Sequence, residues 1–560
     1  MRLTPYALVL LLLALLSAGC TENTVSEPIQ SYSLIAPSGE EIGQIRLART
    51  EDNEIFEHIV GEAEGFRLEH KLTLRPSHVR SDKIINGMKR NAWAHCPAKP
   101  VVKYTLRKGL SEEDKGYSPE EFACDGESPG FAVALVDEIS VFDNSVGASL
   151  LLTERLYSLF GEPFTALNIN DGRPVRCNAH FVDEVKISAP NDKTLKGERC
   201  FFYTAMIAHN IVFAPSADGR HRIVAMDGLA GSLTAVADGY EVELMPPEPE
   251  VPRNVSEEET VFRTADHKRL VGTIALPAKG EVRGGIVIIA GSGPVDRDGN
   301  AGPMSSSPYR RIAHFLARHG YASLRYDKRG VGESQPDKYE MATFELLSSD
   351  AAEAAKCLHR HERLHNRPIV IAGHSEGGAI APAVANKFPG IDGVIMLAGN
   401  VSNLEQVLKE QLVLIMEAAG ATPNEITKFQ LQQGIVLGIV KSGVDRVLPS
   451  MTTGSLDPDW LRSHFAYEPS QAIREFDGPL LALFFEHDLQ VPPAEALVLR
   501  KLASENDDGR ITVKVLEDLD HMMGVAEPPL GLGQYRNPHR PVSEKMLNTV
   551  LEWLDANVAR

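Results

Sequence analysis

Ile369-Val370-Ile371-Ala372-Gly373-His374-Ser375-Glu376-Gly377-Gly378 is the stretch on which the reading of this chain turns. Its first four residues are apolar and three are β-branched, which predicts a short strand buried on both faces. Ala379 to Phe388 follows with the composition of a helix. A serine between glycines at such a strand-to-helix turn must hold a strained backbone, and the small flanking residues let neighbouring chain pass close by. Ser375 is therefore the candidate nucleophile.

Working outward, further apolar runs alternate with helical segments, the signature of a mostly parallel sheet covered by helices on both faces. Expected strands are Gly285 to Ala290, Ala322 to Tyr326, Ile369 to Ala372, Val394 to Ala398, Leu480 to Phe485 and Thr512 to Leu516, closed by an amphipathic helix from Val542 to Val558. Between the fourth and fifth lies an insertion of about 400–474, too long for a simple connection, with apolar residues at helical spacing from Leu404 to Ile415. A second helix is expected at Thr422-Pro423-Asn424-Glu425, where Thr caps, Pro takes the first turn and Glu reaches back. These helices would form a cap over the strand ends.

A serine hydroxyl needs a base to take its proton and a third group to orient that base, in the chain order Ser, acid, His. Asp488 follows the strand ending at Phe485, and His521 follows the strand ending at Leu516, so both fall past carboxyl ends of strands, where open α/β sheets gather their sites. Glu486 or Asp518 as the acid, and His487 as the base, are the rival assignments. For the oxyanion hole the expected donors are the amide of Glu376, directly after the nucleophile, and that of Ser292 in Gly291-Ser292-Gly293-Pro294. His361-Glu362-Arg363-Leu364-His365 fits a zinc pattern, but it precedes the strand at Ile369, on the edge opposite Ser375, and no third ligand accompanies it. No metal and no cofactor are expected.

Gly291 to Asn300, Arg325-Tyr326-Asp327-Lys328-Arg329-Gly330-Val331-Gly332-Glu333-Ser334, the Ser375 motif and Asp488-Leu489-Gln490-Val491-Pro492 together resemble the bacterial α/β-hydrolases related to the EstD-type carboxylesterases and the serine aminopeptidase-like group. The likeness runs from about Glu258 to Arg560. It implies an α/β-hydrolase fold with a helical cap, Ser375, Asp488 and His521 as a triad, and Ser292 and Glu376 as the oxyanion hole. Asp520 stands where relatives often have Asn, and a carboxylate there would favour a protonated His521. The Arg325 to Ser334 turn reads as structural, shaping the wall beside the nucleophile.

The remainder sets the context. At 560 residues the chain is too long for one ordinary core. Met245-Pro246-Pro247-Glu248-Pro249-Glu250-Val251-Pro252 can sustain neither helix nor central strand, so a linker at 245–255 separates a strand-rich α+β domain at 21–250, of unknown role, from the hydrolase-like domain at 256–560. A net charge of -19 excludes non-specific binding to nucleic acid. Residues 1–20, with Arg2, the apolar run Ala7 to Leu16 and Ser17-Ala18-Gly19-Cys20, resemble a bacterial lipoprotein signal, which implies export and attachment to a membrane of the cell envelope through lipidated Cys20. In an oxidising compartment Cys96 with Cys124, and Cys177 with Cys200, are expected to pair, since both join near neighbours in sequence. The function expected is hydrolysis of a small acyl ester through an acyl-enzyme. A peptidase or thioesterase with the same triad, and a non-catalytic envelope scaffold, are the alternatives.

Overall fold

The computed structural model describes residues 249–558 apart from 303, 335–340, 444–456 and 507–508, and before them the strands named below with the turns at 190, 205–206 and 238–244. The lipidation site at Cys20 and the Cys96 and Cys124 pair lie outside the described residues. The chain divides into two compact units, Met1–Pro246 and Pro247–Arg560, and the division falls inside the proline-rich stretch.

The described part of the first unit is strand. Val25–Ile35, Glu41–Thr50, Ile55–Ala63, Phe66–Arg75, His78–Ile85, Met88–His95 and Thr105–Gly109 pair successively. From Val25–Ile35 the same sheet continues through Leu233–Ala237, His221–Leu229, Ala208–Pro215, Lys193–Thr204, Pro174–Ala189, Phe164–Asn168 and Val141–Phe142. This register overturns the expected Cys177–Cys200 disulfide. Cys177 lies opposite Thr204, and Cys200 opposite Phe181. Four residues of strand therefore separate the two cysteines, roughly 13 Å at about 3.3 Å per residue, whereas a disulfide spans at most about 7 Å between Cα atoms. Cys200 is a buried thiol outside any disulfide, and burial pushes it up to about 12. Closeness in sequence misled because the hairpin pairs each cysteine with a different residue.

In the second unit the strands are β1 (Val255–Arg263), β2 (Arg269–Pro277), β3 (Gly284–Ile289), β4 (Tyr321–Tyr326), β5 (Ile369–His374), β6 (Gly393–Leu397), β7 (Leu480–Phe485) and β8 (Ile511–Leu516). They form one sheet in the order β1-β2-β4-β3-β5-β6-β7-β8. β1 and β2 form an antiparallel hairpin, β2 pairs antiparallel with β4, and the rest are parallel. The helices are α1 (Pro308–Arg318), α2 (Phe344–His359), α3 (Glu376–Lys387), α4 (Leu404–Ala418), α5 (Pro423–Ser442), α6 (Pro458–Phe465), α7 (Pro469–Glu475), α8 (Glu495–Asn506) and α9 (Glu544–Asn557).

Strand side chains alternate between two apolar layers, which is why the strands read as continuous hydrophobic runs. Val287, Ile289, Ile369 and Ile371 pack on one face with α2 and α3 through Ala351, Leu358, Ile380 and Val384. Ile286, Ile288, Val370 and Ala372 pack on the other with α1 and α9 through Ile312, Leu316, Met546 and Trp553. β3 has β4 on one side and β5 on the other. The chain leaves β3 toward α1 on one face and reaches β5 from α2 on the other. The carboxyl ends of β3 and β5 therefore border the crevice where doubly wound sheets place their ligands.

The insertion after β6 supplies α4 to α7. At α5 the expected cap is realised: Thr422 Oγ1 accepts from the Glu425 amide, and the Glu425 carboxylate accepts from the Thr422 amide at 2.8 Å. Among the described residues, no helix is long and apolar enough to cross a membrane.

Candidate active site

β5 ends at His374 and α3 begins at Glu376, so Ser375 is the single residue that makes the turn, with φ 56° and ψ -119°. A non-glycine residue adopts this conformation only where its surroundings hold it. Here the Ser375 amide donates to the Leu397 carbonyl at the end of β6, 2.9 Å away. The glycines are required by contact. A Cβ on Gly373 would run into the Gly377 carbonyl oxygen, and one on Gly377 into the Ile289 carbonyl oxygen. A Cβ on Gly378 would lie 2.7 Å from the Gly399 Cα.

Asp488 and His521 come together in the structure. His521 Nδ1 lies 2.8 Å from Asp488 Oδ2, and both side chains are almost wholly buried. Asp488 Oδ1 accepts from the amides of Gln490 at 2.7 Å and Val491 at 2.8 Å. The carboxylate is thus fixed by the turn that follows β7, and His521 Nδ1 is left as the donor to it. The Ser375 hydroxyl is not hydrogen-bonded to His521 in this conformation. Their loops are tied instead through His374, whose Nε2 lies 2.8 Å from the His521 carbonyl oxygen. The rival acids form a separate exposed group, in which Glu486 Oε2 accepts from the Asp518 amide at 3.0 Å. His487 Nε2 lies 3.9 Å from Glu486 there.

Gly291 is separated from the end of β3 by one residue and stands against the nucleophile: a Cβ added to it would lie 3.3 Å from Ser375 Cβ. Ser292 is exposed, with its amide free of any intrachain hydrogen bond among the described residues. The zinc-like motif takes no part. α2 ends at His359, and Glu362–Leu364 is a single 3-10 turn. His361 Nδ1 accepts from the Arg363 amide, while its Nε2 faces Glu258 at 3.2 Å.

Residues 303–457 match the family described as serine aminopeptidase, S33. Over 287 residues the chain is 26% identical to Esterase EstD of Thermotoga maritima, covering 51% of this chain and 65% of the esterase. Over 130 residues it is 28% identical to the proline iminopeptidase of Thermoplasma volcanium, covering 23% of this chain and 42% of that enzyme. The chain thus spans less than two-thirds of the length of either curated relative. The Pyrococcus furiosus esterase Pf2001 superposes with a TM-score of 0.37 and 14% identity over 56% of this chain and 98% of its own. The second unit, with its sheet order β1-β2-β4-β3-β5-β6-β7-β8 and helices on both faces, has the α/β-hydrolase fold.

Several residues of the hydrolase domain's site escaped sequence reasoning. Glu376 was expected to contribute its amide, but its side chain is also buried in a polar cluster. Its carboxylate accepts from Lys328 Nζ at 2.8 Å and from Trp460 Nε1 at 2.6 Å, and His464 Nε2 lies 3.1 Å away. Burial by itself would raise the Glu376 carboxyl, but Lys328 and His464 more than offset it and hold it at about 2. Trp460 and His464 belong to α6, so the cap is anchored to the residue that follows the nucleophile. His374 is buried, with its ring lowered to about 3 by burial and by His521. A neutral ring can donate only once. The His521 carbonyl can only accept, so Nε2 carries the proton, and Nδ1 accepts from the Tyr309 hydroxyl 2.8 Å away. Tyr309 Oη in turn accepts from the Gly291 amide at 3.1 Å.

Asp520 does not act on His521 as an unscreened charge. It pairs with Arg540 at 2.7 Å, and burial pushes its carboxyl up against that pairing. The end of β4 and the turn after it carry ionic links that hold the wall. Arg325 Nε reaches Asp298 and its Nη2 reaches Glu257, each at 2.6 Å, and Arg329 is paired with Asp350 at 2.6 Å and Asp266 at 2.7 Å. Glu486, His487 and Asp518 are the one cluster of potential metal ligands among the described residues.

Proposed function

We propose that this chain is a serine hydrolase that cleaves carboxylic esters through an acyl-enzyme on Ser375. Ser375 attacks the ester carbonyl while His521 Nε2 takes its proton. Asp488 holds the ring by Nδ1 and stabilises the imidazolium that forms. The amides of Ser292 and Glu376 receive the developing oxyanion. His521 then protonates the departing alcohol, and a water molecule activated by the same ring releases the acid.

The observation that carries this reading is the buried Asp488–His521 pair, which commits Nδ1 to the carboxylate and leaves Nε2 as the acceptor. It stands on the rim that also carries the strained Ser375 turn. Proton transfer requires the Ser375 hydroxyl to come within hydrogen-bond reach of His521 Nε2, a contact that in many substrate-free sites tightens only when substrate binds. Ser375→Ala should abolish turnover of a chromogenic short-acyl ester; retained turnover would refute the assignment.

A peptidase reading is favoured by one observation, the match of residues 303–457 to the serine aminopeptidase family. Comparing kcat/KM on an acetyl ester with that on an aminoacyl amide separates the two, and a preference for the amide would overturn the ester reading. By its N-terminal sequence we also propose that the chain is exported and anchored through lipidated Cys20. Incorporation of labelled fatty acid, lost in Cys20→Ala, tests this.

A further inference from the structure

We propose that Lys328 is a positioning residue for the oxyanion hole, acting by fixing the orientation of the Gly291–Ser292 peptide. This rests on the triad reading above and goes beyond it by assigning a role to a residue that touches neither substrate nor reacting atoms.

Lys328 is buried, and its ammonium bridges the two loops that carry the expected oxyanion donors. It donates to the Gly291 carbonyl oxygen at 2.6 Å and to Glu376 Oε2 at 2.8 Å. In a planar trans peptide the carbonyl oxygen and the next amide hydrogen point in opposite directions. Holding the Gly291 oxygen toward Lys328 therefore turns the Ser292 N–H the other way. The peptide flanks the nucleophile, since Gly291 stands against Ser375, so the side opposite Lys328 is the one where an oxyanion formed at Ser375 can meet that N–H.

Such a clamp is needed here. Rotating a peptide changes ψ of the first residue and φ of the second, and Gly291 has no Cβ to resist the change. A flipped peptide would present a carbonyl oxygen to the oxyanion instead of a donor. The preceding peptide is held separately, because the Gly291 amide donates to Tyr309 Oη at 3.1 Å. A charged donor on the Gly291 carbonyl also polarises the peptide, which strengthens the Ser292 N–H as a donor. At its other end Lys328 grips the side chain of Glu376, whose own amide is the second donor. One ammonium thus spaces both halves of the hole.

The test uses the full chain and two variants. Lys328→Met strips the Glu376 carboxylate of its cation and can fail to fold for that reason alone. The double variant Lys328→Met/Glu376→Gln removes that unpaired charge while leaving the Gly291 carbonyl without its clamp. Losing one oxyanion donor typically costs about 10²–10³ in kcat. The expected result for the double variant is a thermal midpoint near that of Glu376→Gln, kcat lower by about 10²-fold, and KM within about threefold. An alkyl boronic acid, which forms a tetrahedral anion on the serine, should lose affinity in parallel with kcat. A double variant that folds and keeps the kcat and boronate affinity of Glu376→Gln overturns the proposal, as does a loss confined to KM. Wild-type labelling by a serine-directed phosphonate separates the two failures. Labelling at Ser375 with unaltered Lys328 variants refutes only the clamp, and no labelling at Ser375 refutes the site on which it rests.

Discussion

Replacing Asp488 by Asn should cost about 10⁴-fold in kcat while leaving the fold intact, and the structure says why the substitution cannot be accommodated. Asp488 Oδ1 receives two amide N–H groups, from Gln490 and Val491 at 2.7 and 2.8 Å. An Asn amide group placed there would set its own N–H bonds against those donors, so the Asn oxygen must take this position. The NH2 end then faces His521 Nδ1, where Oδ2 stands 2.8 Å away in the native chain. That nitrogen must turn from donor to acceptor, which moves the ring proton to Nε2, the atom required as base. A triad histidine locked in the wrong tautomer loses about 10⁴ in kcat, equivalent to about 5.5 kcal/mol of transition-state stabilisation at about 1.36 kcal/mol per tenfold. Stopped-flow hydrolysis of an activated ester, with a thermal melt as the fold control, gives the number. A folded Asp488→Asn protein within tenfold of native kcat would refute the assignment of Asp488 as the orienting acid.

Two further outcomes follow from the same geometry. Gly377→Ala should destabilise the hydrolase domain by about 3 kcal/mol or more, because its Cβ would meet rigid backbone at Ile289 with no side chain to yield; chemical denaturation showing a loss below about 1 kcal/mol would contradict the required closeness. The His374 ring is lowered from 6.5 to about 3 by burial and the neighbouring His521, so its contribution to stability is fully present above about pH 6.5 and is lost as pH falls toward about 3. His374→Gln can donate to the His521 carbonyl without titrating, and should flatten the stability profile across that window; identical slopes in the two proteins would show that His374 does not drive the acid sensitivity.

How much of this was legible depended on whether a signal was local. The inner strands were readable because burial on both faces leaves an uninterrupted apolar run, as in Leu480 to Phe485. The α5 cap was readable because Thr422 and Glu425 carry its whole geometry within one turn. The hairpin of β1 and β2 was not anticipated: Glu257, Glu258 and Glu259 give β1 the composition of an exposed segment, though Val255 and Phe262 are buried. The Asp488–His521 pairing could be expected because each residue follows an identifiable strand end. Lys328, Tyr309 and the Glu376 side chain could not, because their contacts depend on how the loops after β3, β4 and β5 meet at one end of the sheet and on α6 reaching down from the cap. The single signal for Lys328 was its place in the turn after β4, at the same end of the sheet as Gly291. The Cys177–Cys200 expectation failed for the converse reason: proximity in sequence was taken for proximity in register.

The most direct test of the whole account is intact-mass and peptide mapping after exposure to a fluorophosphonate ester, for the native chain and for His521→Ala. The account predicts one adduct, on Ser375, formed rapidly in the native protein and slowed by at least about 10³-fold without the base. An adduct on another residue, or equal labelling rates in the two proteins, would contradict it.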